Sequence, residues 1–158
     1  MKRLILILLL ISFGSFAQTK PTKKELIKLF KNSIEQEEKN TVTTKSNPWI
    51  INNLNGEYYS LDTLKVYSYS NKRENEFCEY IGWTFYKKDS FILNKVHHCN
   101  EPTQISATKK EDWFKIIFIE NKDELILELY NFEILINKFK VLSINKNNTE
   151  TELTLKRI

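Results

Sequence analysis

Both cysteines of the chain lie at the ends of one stretch, CEYIGWTFYKKDSFILNKVHHC from Cys78 to Cys99, with aromatic and branched apolar residues between them. A turn centred on Lys88 and Asp89 would pair Tyr86 with Phe91, Phe85 with Ile92, Ile81 with Val96 and Cys78 with Cys99. Directly opposed residues of antiparallel strands have Cα atoms about 4.5–5.5 Å apart, within the roughly 4.4–6.8 Å that a disulfide spans. The stretch therefore predicts a disulfide-closed β-hairpin. On the loop-entropy model, closing such a loop adds about 3 kcal/mol.

A disulfide needs an oxidising compartment, and the first residues supply the route to one. Lys2 and Arg3 precede the apolar run Leu4 to Ile11, and Ser15-Phe16-Ala17 offers small residues for cleavage. Residues 1–17 read as a secretory signal peptide, too short in its apolar run to span a membrane. No cysteine follows Ala17 to take a lipid anchor. The mature chain is expected in the periplasm or secreted, without a stable membrane span. Its loss of Lys2 and Arg3 leaves 22 basic residues against 20 acidic ones. Both signs are interspersed, which is the pattern of a solvated surface and not of a nucleic-acid footprint.

Residues 18–47 hold one helix and a linker. Thr22-Lys-Lys-Glu25 is a capping box, and Leu26, Leu29, Phe30 and Ile34 recur at helical spacing over residues 22–38. That stripe fits a cover over a barrel mouth or a pad on the outer wall. From residue 48 the period changes. Short strand-prone runs separated by polar loops are expected at residues 57–61, 64–70, 78–99 (the hairpin), 113–119, 125–130, 132–136, 139–144 and 151–158. The charged stretch 71–76 reads as a loop. Gly82, in mid-strand, reads as a bulge or bend. The pattern predicts an all-β domain over residues 48–158, an antiparallel up-and-down barrel of about eight strands.

Leu54-Asn-Gly-Glu-Tyr58 resembles the Gly-x-Trp opening of lipocalins, with Tyr58 in place of tryptophan. A cysteine-flanked hairpin carrying a tryptophan, here Cys78, Trp83 and Cys99, is similar to that of the small secreted lipocalin-like proteins of Bacteroidetes. The endings Phe139 to Ile144 and Glu152 to Arg157 resemble theirs as well. The resemblance implies a barrel that holds an apolar ligand, and it implies no catalytic residues.

The residues themselves carry no phosphate loop, nucleophile elbow or zinc-protease helix. His97, His98, Cys99, Glu101 and Cys78 suggest a metal cluster. Alternation along a strand, however, separates His98 from its neighbours, and the disulfide consumes the thiols. Neither a metal nor a cofactor is expected, nor an enzyme. The expected function is non-catalytic binding of a small apolar molecule inside the barrel. Its lining would be Ile81, Trp83, Phe85, Ile92, Phe114, Ile116, Phe118, Leu125, Leu127, Leu142, Leu153 and Leu155. The alternative is a barrel filled by its own side chains. Such a protein would act as an extracytoplasmic interaction or inhibitor module through an exposed aromatic face that includes Tyr67 and Tyr69. Asp62-Thr63-Leu64 also resembles an O-glycosylation sequon with Thr63 as acceptor. Export predicts a mature chain beginning near Gln18. N-terminal sequencing of the protein recovered from periplasm or medium checks this, and an uncut Met1 would contradict it.

Overall fold

The computed structural model describes residues 20–34, 46–99, 102–105 and 109–158. The signal stretch, most of the linker and Glu101 lie outside them. Helix α1 (Lys23–Asn32) begins at Thr22, whose hydroxyl accepts the Glu25 N–H at 3.2 Å. It ends well short of residue 38, where the Ser33 hydroxyl donates to the Phe30 carbonyl at 2.7 Å.

Nine strands follow among the described residues: β1 (Trp49–Asn52), β2 (Thr63–Tyr67), β3 (Glu79–Lys87), β4 (Ser90–His97), β5 (Gln104–Ile105), β6 (Trp113–Glu120), β7 (Leu125–Asn131), β8 (Ile134–Lys146) and β9 (Thr151–Arg157). Pairing runs β3-β1-β2-β9-β8-β7-β6-β4 and returns from β4 to β3, so eight antiparallel strands close a barrel. Strand β5 adds only to the margin of β4. From β3 onward the ring follows chain order, whereas β1 sits between β2 and β3. The expected strands 132–136 and 139–144 are one, β8. Its bulge between Val141 and Ser143 turns Leu142 outward.

The cystine hairpin forms about the expected turn, and Cys78 and Cys99 are joined with their Cα atoms 4.8 Å apart. Its register differs by one residue. Lys87 pairs with Ser90, a bulge then absorbs Tyr86, and Phe85 faces Phe91 while Thr84 faces Ile92. A slip of one residue exchanges the two faces of a strand. Phe91 and Leu93 therefore join the core, and Ile92 lies on the outside opposite Trp113.

Three further expectations change for local reasons. Residues Glu57–Ser60 form helix α2 and not a strand. Gly56 is left-handed at φ 77°, the Glu57 carboxylate accepts the Asn55 N–H at 2.7 Å, and buried Asn53 accepts the Tyr58 N–H at 3.2 Å. These side-chain bonds coil a segment whose short apolar run otherwise suits a strand. The stretch read as a loop contains helix α3 (Asn71–Glu76), capped by the Ser70 hydroxyl. Gly82 pairs regularly with Ile50 and Asn94. Its missing side chain serves close approach, since a Cβ there would stand 3.2 Å from that of Pro48.

Helix α1 closes one mouth of the barrel, not its outer wall. Leu26 and Phe30 are fully buried, with Phe30 stacked on Phe85 at 4.2 Å and edge-on to Trp49 at 5.4 Å. Helix α2 closes the opposite mouth with Tyr58, whose ring meets Trp83 edge-on at 6.4 Å. Truncating a fully buried phenylalanine costs about 3–5 kcal/mol. Phe30→Ala is thus expected to lower unfolding stability by about 3 kcal/mol in urea titration, while Lys28→Ala on the exposed side of α1 stays within about 0.5 kcal/mol.

Candidate functional site

Three regions compete: the barrel interior, the tyrosine face and the apolar end around α2 and the β7–β8 hairpin. Of the twelve residues expected to line the interior, nine are buried in the main core. These are Ile81, Trp83, Phe85, Phe114, Ile116, Leu125, Leu127, Leu153 and Leu155. Phe118 is half-buried against them. Ile92 and Leu142 are not in that core: the hairpin register turns one outward and the β8 bulge turns out the other, which is 43 % exposed. The space between the walls holds stacked rings. Trp83 lies on Phe91 at 4.8 Å, and Phe91 on Phe114 at 5.4 Å. This is the packing an eight-stranded barrel reaches when side chains fill it.

The filled interior retains polar atoms. The Trp49 indole nitrogen is buried without a hydrogen-bond partner among the described residues, and the Trp83 indole nitrogen and the Tyr58 hydroxyl are near each other without forming a well-aligned bond. Burial also pushes the Tyr58 phenol well above its ordinary range.

The tyrosine face is covered. Tyr67 is 8 % exposed, because the Arg73 guanidinium lies 4.0 Å over its ring and Phe77 packs beside it at 5.9 Å. Arg73 is held in turn by two bonds to Glu150, at 2.9 and 2.7 Å, which keep that carboxyl below its usual range. Tyr69 donates to Glu74 at 2.8 Å and packs on a small outer cluster of Ile50, Tyr80 and Val96. Helix α3, unexpected from the sequence, supplies Arg73 and Glu74, so the two tyrosines form no open patch. His97 faces Glu79 at 3.0 Å, and His98 faces Asn75 at 3.2 Å. No group of three or more metal-ligating side chains occurs among the described residues. Thr63 is exposed at the start of β2.

The exposed apolar residues concentrate instead at the end closed by α2. Tyr59, Phe132 and Ile134 are 63, 69 and 66 % exposed, and Leu61, Trp113 and Ile136 join them. Two open clefts run through this surface. One, of about 360 Å³, lies between α2, Ile136, Glu111, Asp112 and Arg157. The other, of about 380 Å³, lies between Tyr86, Trp113 and Phe132, with Phe114 and Ser90 within it and Lys110 and Lys115 at its sides. Trp113 and Tyr86 meet at 5.3 Å and 61°. Phe132, the first residue of the β7–β8 turn, has a left-handed backbone at φ 53°. The rim at the α1 end is polar by contrast, where Glu25 pairs with Lys146 and the Lys23 N–H bonds Glu120.

The sequence reading passed over this surface. Its signal is the run Phe132-Glu-Ile-Leu-Ile136, in which three consecutive apolar residues break the alternation of a half-buried strand. Comparison of the chain with protein-family models, curated proteins and solved structures gives no match. An unmet buried hydroxyl costs about 1–3 kcal/mol, whereas an apolar group of the same shape avoids that cost. Tyr58→Phe is therefore expected to leave the melting temperature unchanged or raised, as measured by calorimetry. A marked fall would mean that the hydroxyl has a partner.

Proposed function

We propose that this protein is an exported, non-catalytic interaction module of lipocalin-like architecture that docks a protein partner through the apolar end around α2 and the β7–β8 hairpin. The observation that carries this reading is that Tyr59 and Ile136 line one cleft and Phe132 and Trp113 the next, the two sharing Phe114, with exposed Ile134 between Phe132 and Ile136 along the hairpin. Exposed apolar residues scattered singly are ordinary, but a contiguous cluster marks a surface that meets something. Aromatic residues are the ones most enriched in such contacts. The stacked interior favours this reading over an apolar ligand enclosed by the barrel. The disulfide suits an oxidising compartment, and no described helix is long and apolar enough to cross a membrane.

A photo-crosslinking amino acid at position 134 is expected to yield a discrete protein adduct in periplasm or medium. The same group at Lys122, in the loop at the opposite end, is expected to yield none. The adduct should also fade when the Phe132→Ser protein carries the crosslinker. Equal labelling from both positions, or none from either, would overturn the docking surface.

A further inference from the structure

The side cleft has a chemistry that its apolar surroundings do not share. Tyr86 and Trp113 make an aromatic corner, with ring centroids 5.3 Å apart. Phe132 lines the same cleft, and Phe114, 8 % exposed, lies within it. Lys110 and Lys115 flank these rings, and no carboxylate lines the cleft. Neither ammonium group has a carboxylate within 4.0 Å among the described residues. The neighbouring acids are engaged elsewhere. Asp112 accepts the Lys109 N–H at 2.7 Å, Glu111 lines the adjoining cleft, and Asp89 accepts the Ser90 hydroxyl at 3.2 Å.

The cleft is also built to hold its shape. The Asn131 side-chain amide donates to the carbonyls of Glu111 at 3.0 Å and Trp113 at 2.9 Å, and reaches that of Lys110 at 3.4 Å. One side chain at the hairpin tip thus fixes the segment that carries Lys110 and Trp113. The next residue, Phe132, takes a left-handed backbone at φ 53° while 69 % exposed. A positive φ is what a two-residue hairpin turn requires at its first position, and it holds the Phe132 ring at the exposed tip beside the cleft.

We infer that the cleft formed by Tyr86, Trp113 and Phe132 between Lys110 and Lys115 binds a small flat organic anion, an aromatic body bearing a carboxylate or sulfonate. The rings take the flat body by stacking and edge contact, and the ammonium groups take its charge. A volume of about 380 Å³ falls in the range of small-molecule sites. A neutral sugar suits the cleft less well, because Ser90 is the one hydroxyl besides that of Tyr86 among its lining side chains. This inference goes beyond the partner-docking reading, since the anion needs no protein partner to bind.

The test is titration of the full mature protein with the anionic dye 8-anilinonaphthalene-1-sulfonate and, in parallel, with neutral N-phenyl-1-naphthylamine. The sulfonate is expected to bind saturably at one site, with energy transfer from tryptophan. Trp113→Leu should weaken it about tenfold, the scale of losing an aromatic anchor. The double change Lys110→Gln, Lys115→Gln should weaken the sulfonate about fivefold, the scale of two partly exposed charge contacts, and leave the neutral dye unchanged. Phe132→Ser, at the exposed tip, gives a second reading should Trp113→Leu fail to fold. Non-saturable sulfonate binding, equal loss of both dyes in the lysine variant, or indifference to both aromatic changes would each overturn the site. Loss of the crosslinked adduct with sulfonate binding intact would instead count against the docking surface alone.

Discussion

The ladder between β3 and β4 is the seam on which the barrel depends. Without it the strands make an open sheet with β3 at one edge and β4, extended only by β5, at the other. With it the ring has no open edge in the wall, which is what closure achieves for antiparallel sheets. The seam is fixed at both ends: by the Cys78–Cys99 bridge and by the turn between Lys87 and Ser90. The ladder between them, from Phe85 opposite Phe91 to Glu79 opposite His97, runs one residue out of step with the Lys87–Ser90 pair, and the bulge at Tyr86 absorbs the difference. That single extra residue sends Phe85 and Phe91 inward together and sends Tyr86 outward beside Trp113.

Closure alone does not dry the interior, because each mouth of a barrel is open to water. Here the chain uses its short helices as stoppers. Each inserts one aromatic ring from its end, Phe30 from α1 and Tyr58 from α2, and both rings belong to the same buried cluster as Trp83 and Phe85. The two stoppers are held differently. Helix α1 is latched by ion pairing and a cap at a polar rim. Helix α2 is held through Arg157, which donates to the Tyr58 carbonyl at 2.6 Å while its guanidinium lies 4.9 Å from the Phe139 ring. The end with fewer ion pairs is also the end that exposes apolar side chains.

What could be read in the sequence divides along the range of the forces involved. The bridge, the strand-rich body, the capped helix and most of the inward residues follow from alternation and spacing, which act between near neighbours. The register of β3 against β4 did not follow, because a bulge leaves no mark in the pattern of apolar residues around Tyr86 and Phe91. Helix α2 was hidden because Asn53 and Glu57 bond their own backbone neighbourhood, a competition that outweighs the strand propensity of Tyr58 and Tyr59. Tyr67 and Tyr69 do alternate with buried partners, yet a charged segment read as a loop coils into α3 and lays Arg73 over them. Leu142 looked like a core residue in a run of apolar ones, and a bulge in a thirteen-residue strand reversed it.

The same bulges explain why the outside of this wall, more than its inside, carries the open chemistry. A closed ring of eight strands has little interior to spare, and fifteen of the twenty buried positions in the main cluster are aromatic or leucine. Further aromatic residues are left for the outer face, where alternation places Trp113 and the β3–β4 bulge places Tyr86. The hairpin tip adds Phe132 from the neighbouring pair of strands, and Asn131 ties that tip to the turn before β6. Three elements distant in sequence, near residues 86, 113 and 132, are thereby brought to one cleft by two local devices, a bulge and a side-chain amide. The bulge is part of the ladder that closes the barrel, whereas the amide lies outside it. Both shape the outer surface beside Tyr86 and Trp113.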